Sequence, residues 1–209
     1  MEVITKKLVL LSLAFLAPLS LAACSDQSSS SSSHSNTGSA TSSKVVKRPT
    51  IDITTSTASG SKSIAIKSAK VYNSNISDSS WQGNIFKIDA IKMITTKPFK
   101  YHDDDDGIYN SKGIALIKYS IKAVAFDVDG DTDTSNLTTN LGGQTNIDYL
   151  DSQDTNTVNK GVTKTGIMVF PLTDNPSSIK SLRLKTSIDA NSVKNDSSKD
   201  YDLNINLSK

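Results

Sequence analysis

The chain has 209 residues, 23 Lys and Arg against 21 Asp and Glu, a net charge of +2, 36% hydrophobic residues, two His and one Cys. That length holds one domain with appendages. So even a charge balance gives no sequence-independent attraction for nucleic acid; a single Cys excludes an intramolecular disulfide framework and a cysteine-rich zinc module, and His34 and His102 leave little imidazole for chemistry.

Lys6 and Lys7 precede an apolar run over residues 8–19, which small residues follow; together these are the three parts of an export signal over residues 1–23. The run is too short for the about 20 residues a helix needs to span a bilayer. It ends in Leu21-Ala22-Ala23-Cys24, which resembles the lipobox of bacterial lipoprotein signals. The resemblance implies cleavage before Cys24, with Leu21, Ala22 and Ala23 fitting the peptidase, and a diacylglyceryl group on the Cys24 sulfur. The plainer alternative is an ordinary signal peptide that contains a cysteine. Acyl chains burying about 0.8 kcal/mol per CH₂ would anchor the protein to a membrane, here the outer face of a bacterial cytoplasmic membrane.

Residues 24–61 read as a tether. Over residues 25–43, 11 of 19 are Ser, and such a stretch has too little apolar area to offset about 1–2 kcal/mol per residue of backbone ordering. His34 falls inside it as a solvated residue. Ile51 and Ile53 could make a short edge strand, but Pro49 and the Thr/Ser/Gly run after it assign that stretch to the linker.

Residues 62–209 form the folded part, where apolar residues recur with period two. Ile64 and Ile66, then Ala69 and Val71, predict a first strand with a change of register. Phe86, Ile88 and Ala90, then Ile91 and Met93, repeat that pattern with a shift near Ala90, the mark of a bulge. The longest signal covers residues 114–126: Ala115, Ile117, Tyr119, Ile121, Ala123 and Ala125 share one face, while Lys118, Ser120 and Lys122 interrupt the other, which predicts one dry and one wet face. Strands at 136–141, 145–150, 166–172, 179–188 and 201–207 follow, separated by Gly142-Gly143, Asp174-Asn175-Pro176 and residues 191–199. About seven or eight short strands with regular turn signals predict an all-β, two-sheet antiparallel sandwich, with a closed barrel as the alternative.

Three segments carry a second resemblance: Ala115-Leu116-Ile117-Lys118-Tyr119-Ser120-Ile121-Lys122, Leu141-Gly142-Gly143-Gln144, and the stretch from Val158-Asn159-Lys160-Gly161 through Gly166-Ile167-Met168-Val169-Phe170. Their order is similar to that in an immunoglobulin-like domain family of unknown function, found in surface lipoproteins of Gram-positive bacteria such as lactobacilli. The resemblance implies an Ig-like sandwich outside the cell and carries over no catalytic residue.

Two acidic segments invite a metal. In Asp127-Val128-Asp129-Gly130-Asp131-Thr132-Asp133, alternate carboxylates could converge on a hard cation such as calcium, making Asp127, Asp129, Asp131 and Asp133 candidate ligands. The EF-hand pattern fails, because its turn-glycine and bidentate-glutamate positions hold Thr132 and Thr138 counted from Asp127, and Thr134 and Asn140 counted from Asp129. The plainer reading makes Asp129-Gly130 a tight turn closing the strand that ends at Phe126 and Val128. Asp103-Asp104-Asp105-Asp106 reads as a solvated loop, since successive like charges repel.

No nucleophile elbow, Ser-x-x-Lys tetrad or phosphate-cradling loop occurs, and His102 has no recognisable partner motif. The expectation is a non-enzymatic lipoprotein without a cofactor, calcium being the one alternative. It would hold the membrane through diacylglyceryl-Cys24 and bind a cell-wall or extracellular protein partner, with no nucleic acid. Trp81, Phe99, Tyr101 and Tyr109, read as clustered on loops before the long strand, are the candidate ligand-binding residues, against the plainer reading that Trp81 and Phe99 fill the ends of the core. A calcium-binding adhesion domain and a cell-wall-acting enzyme are the alternatives.

Overall fold

Alternating β-branched, aromatic and polar residues draw the chain into antiparallel strands, and the computed structural model describes these over residues 49–54, 60–103, 107–191 and 197–207. The export signal, Leu21, Ala22, Ala23, Cys24, the serine-rich stretch with His34, and Asp104, Asp105 and Asp106 lie outside the described residues.

The strands are β1 (Thr50–Thr54), β2 (Ser61–Asn73), β3 (Ser77–Trp81), β4 (Asn84–Asp103), β5 (Gly107–Lys122), β6 (Val128–Asp129), β7 (Asn136–Thr139), β8 (Gln144–Asn146), β9 (Thr157–Val158), β10 (Thr163–Leu172), β11 (Ser181–Ala190) and β12 (Ser198–Asn206). One sheet has the order β1-β2-β4-β5-β10, with β3 also on β4; the other has the order β8-β7-β11-β6-β9, with β12 also on β11. The protein is therefore an all-β antiparallel sandwich, with more strands than the sequence pattern resolves. The short β6 and β9 and the polar β3 leave no hydrophobic alternation to read.

The inner faces meet in one core. Phe86 of β4 stacks on Tyr201 of β12 at 4.7 Å between ring centroids and lies 5.7 Å from Tyr119 of β5, so three aromatic rings join the two sheets. Such pairs add about 0.5–1.5 kcal/mol each beyond their buried area. Ile91 and Met93 of β4, Ala115 and Ile117 of β5, and Met168 and Phe170 of β10 continue this layer.

Both register changes legible in the sequence are present: pairing shifts between Ile66 and Ser68 in β2 and between Ile88 and Ala90 in β4. A third, between Thr95 and Phe99, accommodates Pro98, whose missing N–H would interrupt a regular ladder. It lets β4 run on far beyond Met93.

Three expectations are corrected. First, the folded part begins before residue 62: β1, assigned to the tether, pairs with β2 and buries Ile51 and Ile53. Second, the long strand is not dry on one face alone, because Ile114 and Leu116 on its outer face are as buried as Ala115 and Ile117 on the inner. Third, the Asp129-Gly130 segment is no hairpin turn. β5 stops at Lys122, residues 123–127 cross to the other sheet, and Val128–Asp129 is β6, paired with β9 and β11.

The second correction follows from the first. Thr54 at the end of β1 donates its N–H to Asp151 Oδ2 at 2.6 Å and its hydroxyl to Asp151 Oδ1 at 2.9 Å. Asp151 belongs to a turn held on the far edge of β10, where the Asp148 N–H donates to Val169 O at 2.7 Å and the Val169 N–H to Ser152 Oγ at 2.9 Å. Because β2 pairs with β4 at one side of the sheet and Thr54 is fastened at the other, the β1–β2 ribbon crosses the outer face. Ile51, Ile53 and Ile64 are buried there, as are Ile94, Ile114, Leu116 and Val169, and none of these seven belongs to the inner core.

Candidate functional site

The four aromatics expected on loops are on strands. Trp81 closes β3, 8% exposed, with its ring edge-on to Phe126 at 5.0 Å. Phe99 and Tyr101 are buried in β4, and Tyr109 lies opposite Tyr101 in β5 with 5.4 Å between ring centroids. The structure thus brings Phe99, Tyr101 and Tyr109 to one end of the β4–β5 hairpin and leaves Trp81 beside Asn84 at the other end. Gln82 and Gly83, both at positive φ (51° and 83°), make the tight turn that fixes Trp81 there. Trp81, Phe99 and Tyr101 are packing residues; Tyr109 is half-buried and shares a hydrogen bond with Thr145 Oγ1 at 3.1 Å.

The acidic segment divides. Asp127 Oδ1 accepts the Lys160 N–H at 2.6 Å, and Asp129 is locked in β6 opposite Asp189 and Thr157. Asp131 and Asp133 instead converge with Asp154, their carboxylate oxygens within 4.8 Å of one another. Asp154 Oδ1 accepts the Thr132 hydroxyl at 2.6 Å, and Asp131 Oδ1 accepts the Asp133 N–H at 2.9 Å. Partial burial, followed by the charges of Asp131 and Asp154, raises the Asp133 carboxyl above its ordinary range. Three carboxylates of this kind could hold a hard cation. The partnership of Asp154 has no signal in the local spacing, since it arises from the chain around Gly130 lying beside Thr155 and Asn156.

A second acidic group was missed because its residues sit in what reads as a strand over 145–150. β8 ends at Asn146, and Asp148 turns the chain: its Oδ1 accepts the N–H groups of Leu150 (3.1 Å) and Asp151 (3.2 Å), and its carbonyl accepts the Ser152 N–H and hydroxyl. Asp148 is 1% exposed and its Oδ2 has no hydrogen-bond partner. Burial first, then the neighbouring Asp151 charge, pushes its carboxyl up to about 7, against smaller opposing contributions from the Asp151 N–H and the Tyr101 hydroxyl. The one sequence signal was a carboxylate inside the apolar run Ile147-Asp148-Tyr149-Leu150.

Ile108, next in the chain to Tyr109, and Tyr149 and Leu150, which follow Asp148, are exposed apolar residues. His102, the one imidazole among the described residues, is exposed on β4. No helix among the described residues is long and apolar enough to cross a membrane. No protein-family model, no curated protein and no solved structure matches the chain.

Proposed function

We propose that this chain is a lipid-anchored surface protein whose Ig-like β-sandwich binds a partner outside the cell and catalyses no reaction. The observation that carries this reading is Leu21-Ala22-Ala23-Cys24 at the end of a charged-then-apolar leader, with Cys24 the single cysteine of the chain. The serine-rich stretch after it has the composition of a spacer. Metabolic labelling with a palmitate analogue should tag the chain and leave a Cys24→Ser variant untagged and released from membranes. An untagged wild-type chain, or one fractionating with cytosolic proteins, would overturn the reading.

The contact surface in this proposal combines the exposed Ile108 at the start of β5 with the exposed Tyr149 and Leu150 of the turn after β8. An Ile108→Asp/Tyr149→Ala double variant should lose retention on isolated cell walls while melting as the wild type does; unchanged retention would remove the surface assignment.

Calcium binding is a second reading, favoured by the convergence of Asp131, Asp133 and Asp154. Extracellular calcium modules work near about 1 mM. On this reading, calcium at that concentration releases or absorbs heat and raises the melting temperature, and Asp133→Asn abolishes both. Absence of both effects in the wild type disposes of calcium.

A further inference from the structure

The outer face of the first sheet is closed by a ribbon held at its far end by one carboxylate. Thr54 gives both its N–H and its hydroxyl to Asp151, and the turn that presents Asp151 is organised by the Asp148 side chain, whose Oδ1 takes the Leu150 and Asp151 N–H groups. Asp148 is buried, its Oδ2 is unpartnered, and its nearest charge is the like charge of Asp151. An ionised carboxylate in that position is shut away from water beside a second anion, so ionisation works against the turn.

The groups that bear on Asp148 can be named from each side. Its own turn contributes Asp151, β4 contributes the Tyr101 hydroxyl, and no cation is among the groups that shift it. β10 touches the turn through Ile167 and Val169, neither of which titrates, and β1 through Thr54. Nothing among these neutralises the negative charge that would form.

We propose that Asp148 and Asp151 form a proton-controlled latch on the β1–β2 ribbon, closed over the outer face while the Asp148 carboxyl is neutral and released when it ionises. Release uncovers Ile94, Ile114, Leu116 and Val169 and frees β1, the strand through which the sheet joins the preceding chain. The inner core, built from other residues, stays intact.

Hydrogen exchange on the full chain tests this. After correction for intrinsic base catalysis, amide protection in Thr50–Thr54 should fall by up to about tenfold per pH unit, the limiting slope of a one-proton linkage, as pH rises from about 5 to about 7, and level off above that, while β11 stays protected. Asp148→Asn, which keeps the Oδ1 acceptor and cannot ionise, should make protection of β1 independent of pH. The latch is overturned if β1 protection is flat in the wild type, if it falls equally in Asp148→Asn, or if β1 and β11 lose protection together. Carboxyl-carbon NMR of the wild-type chain needs no variant: Asp148 titrating in the ordinary carboxylate range would overturn it equally.

Discussion

At Gly166 of β10 there is no room for a side chain: a Cβ would stand 2.5 Å from Tyr119 Oη and 2.6 Å from the Gln153 carbonyl. Gly166 lies opposite Tyr119 in the ladder, and the tyrosine ring occupies the space the glycine leaves, its hydroxyl reaching Gly130 O at 3.5 Å. Gly166→Ala should therefore cost about 1–3 kcal/mol in chemical denaturation. Asn84 is a buried polar residue of the same importance. Its Oδ1 accepts the Val124 and Ala125 N–H groups at 2.7 and 2.9 Å, holding the start of the crossing between the sheets. Asn84→Ala should lower stability by about 1–3 kcal/mol, whereas Asn84→Asp, which keeps an acceptor, should cost less in the same measurement. Neither residue is legible in the sequence, because each answers to a neighbour about forty positions or more away in the chain.

At the scale of the element, the alternation in β11 and β12 is direct to read because one side of each strand meets the inner core and the polar residues between face away from it. Its failure at β1 has a physical cause. Five residues with two isoleucines have too little periodicity to stand out from a linker, and they are strand because β2 offers them a ladder and the outer face offers them burial. The same ribbon allows a test. Ile53, 1% exposed, should lose about 2–5 kcal/mol on replacement by Ala, as a covered core position does. Val71, 45% exposed in β2, should change stability by no more than about 0.5 kcal/mol on the same replacement. Equal effects at the two positions, measured by urea unfolding, would contradict the covering of the outer face. β4 teaches the converse, since Pro98 argues against a continuing strand, yet a register shift absorbs it and the strand runs on to Asp103.

For the molecule as a whole, acidity enters through Asp148. Its carboxyl ionises near pH 4 in an unfolded chain and at about 7 in the native one, so between those values the folded state holds a proton that the unfolded state lacks. Stability from this group therefore falls as pH rises through that window and levels off above it. Asp202 works in the opposite sense: its hydrogen bond to Arg183 keeps its carboxyl below the ordinary value, so its contribution is present above that value and fades as pH drops through the lowered one. The melting temperature should thus decline from about pH 5 to about pH 7 and level off above that, and Asp148→Asn should flatten the decline in scanning calorimetry. An unchanged slope in that variant would assign the effect to another group. The sequence by itself determined the all-β class, most of the strands, two of the bulges and the lipobox expectation, because period-two burial, turn residues and a short motif are local properties of the chain. Only the tertiary structure decided that a ribbon closes the outer face, that Asp154 rather than Asp127 or Asp129 joins Asp131 and Asp133, and that Asp148 is buried beside Asp151. Each of these depends on segments brought together from distant parts of the chain, and burial and charge proximity exist only after that meeting.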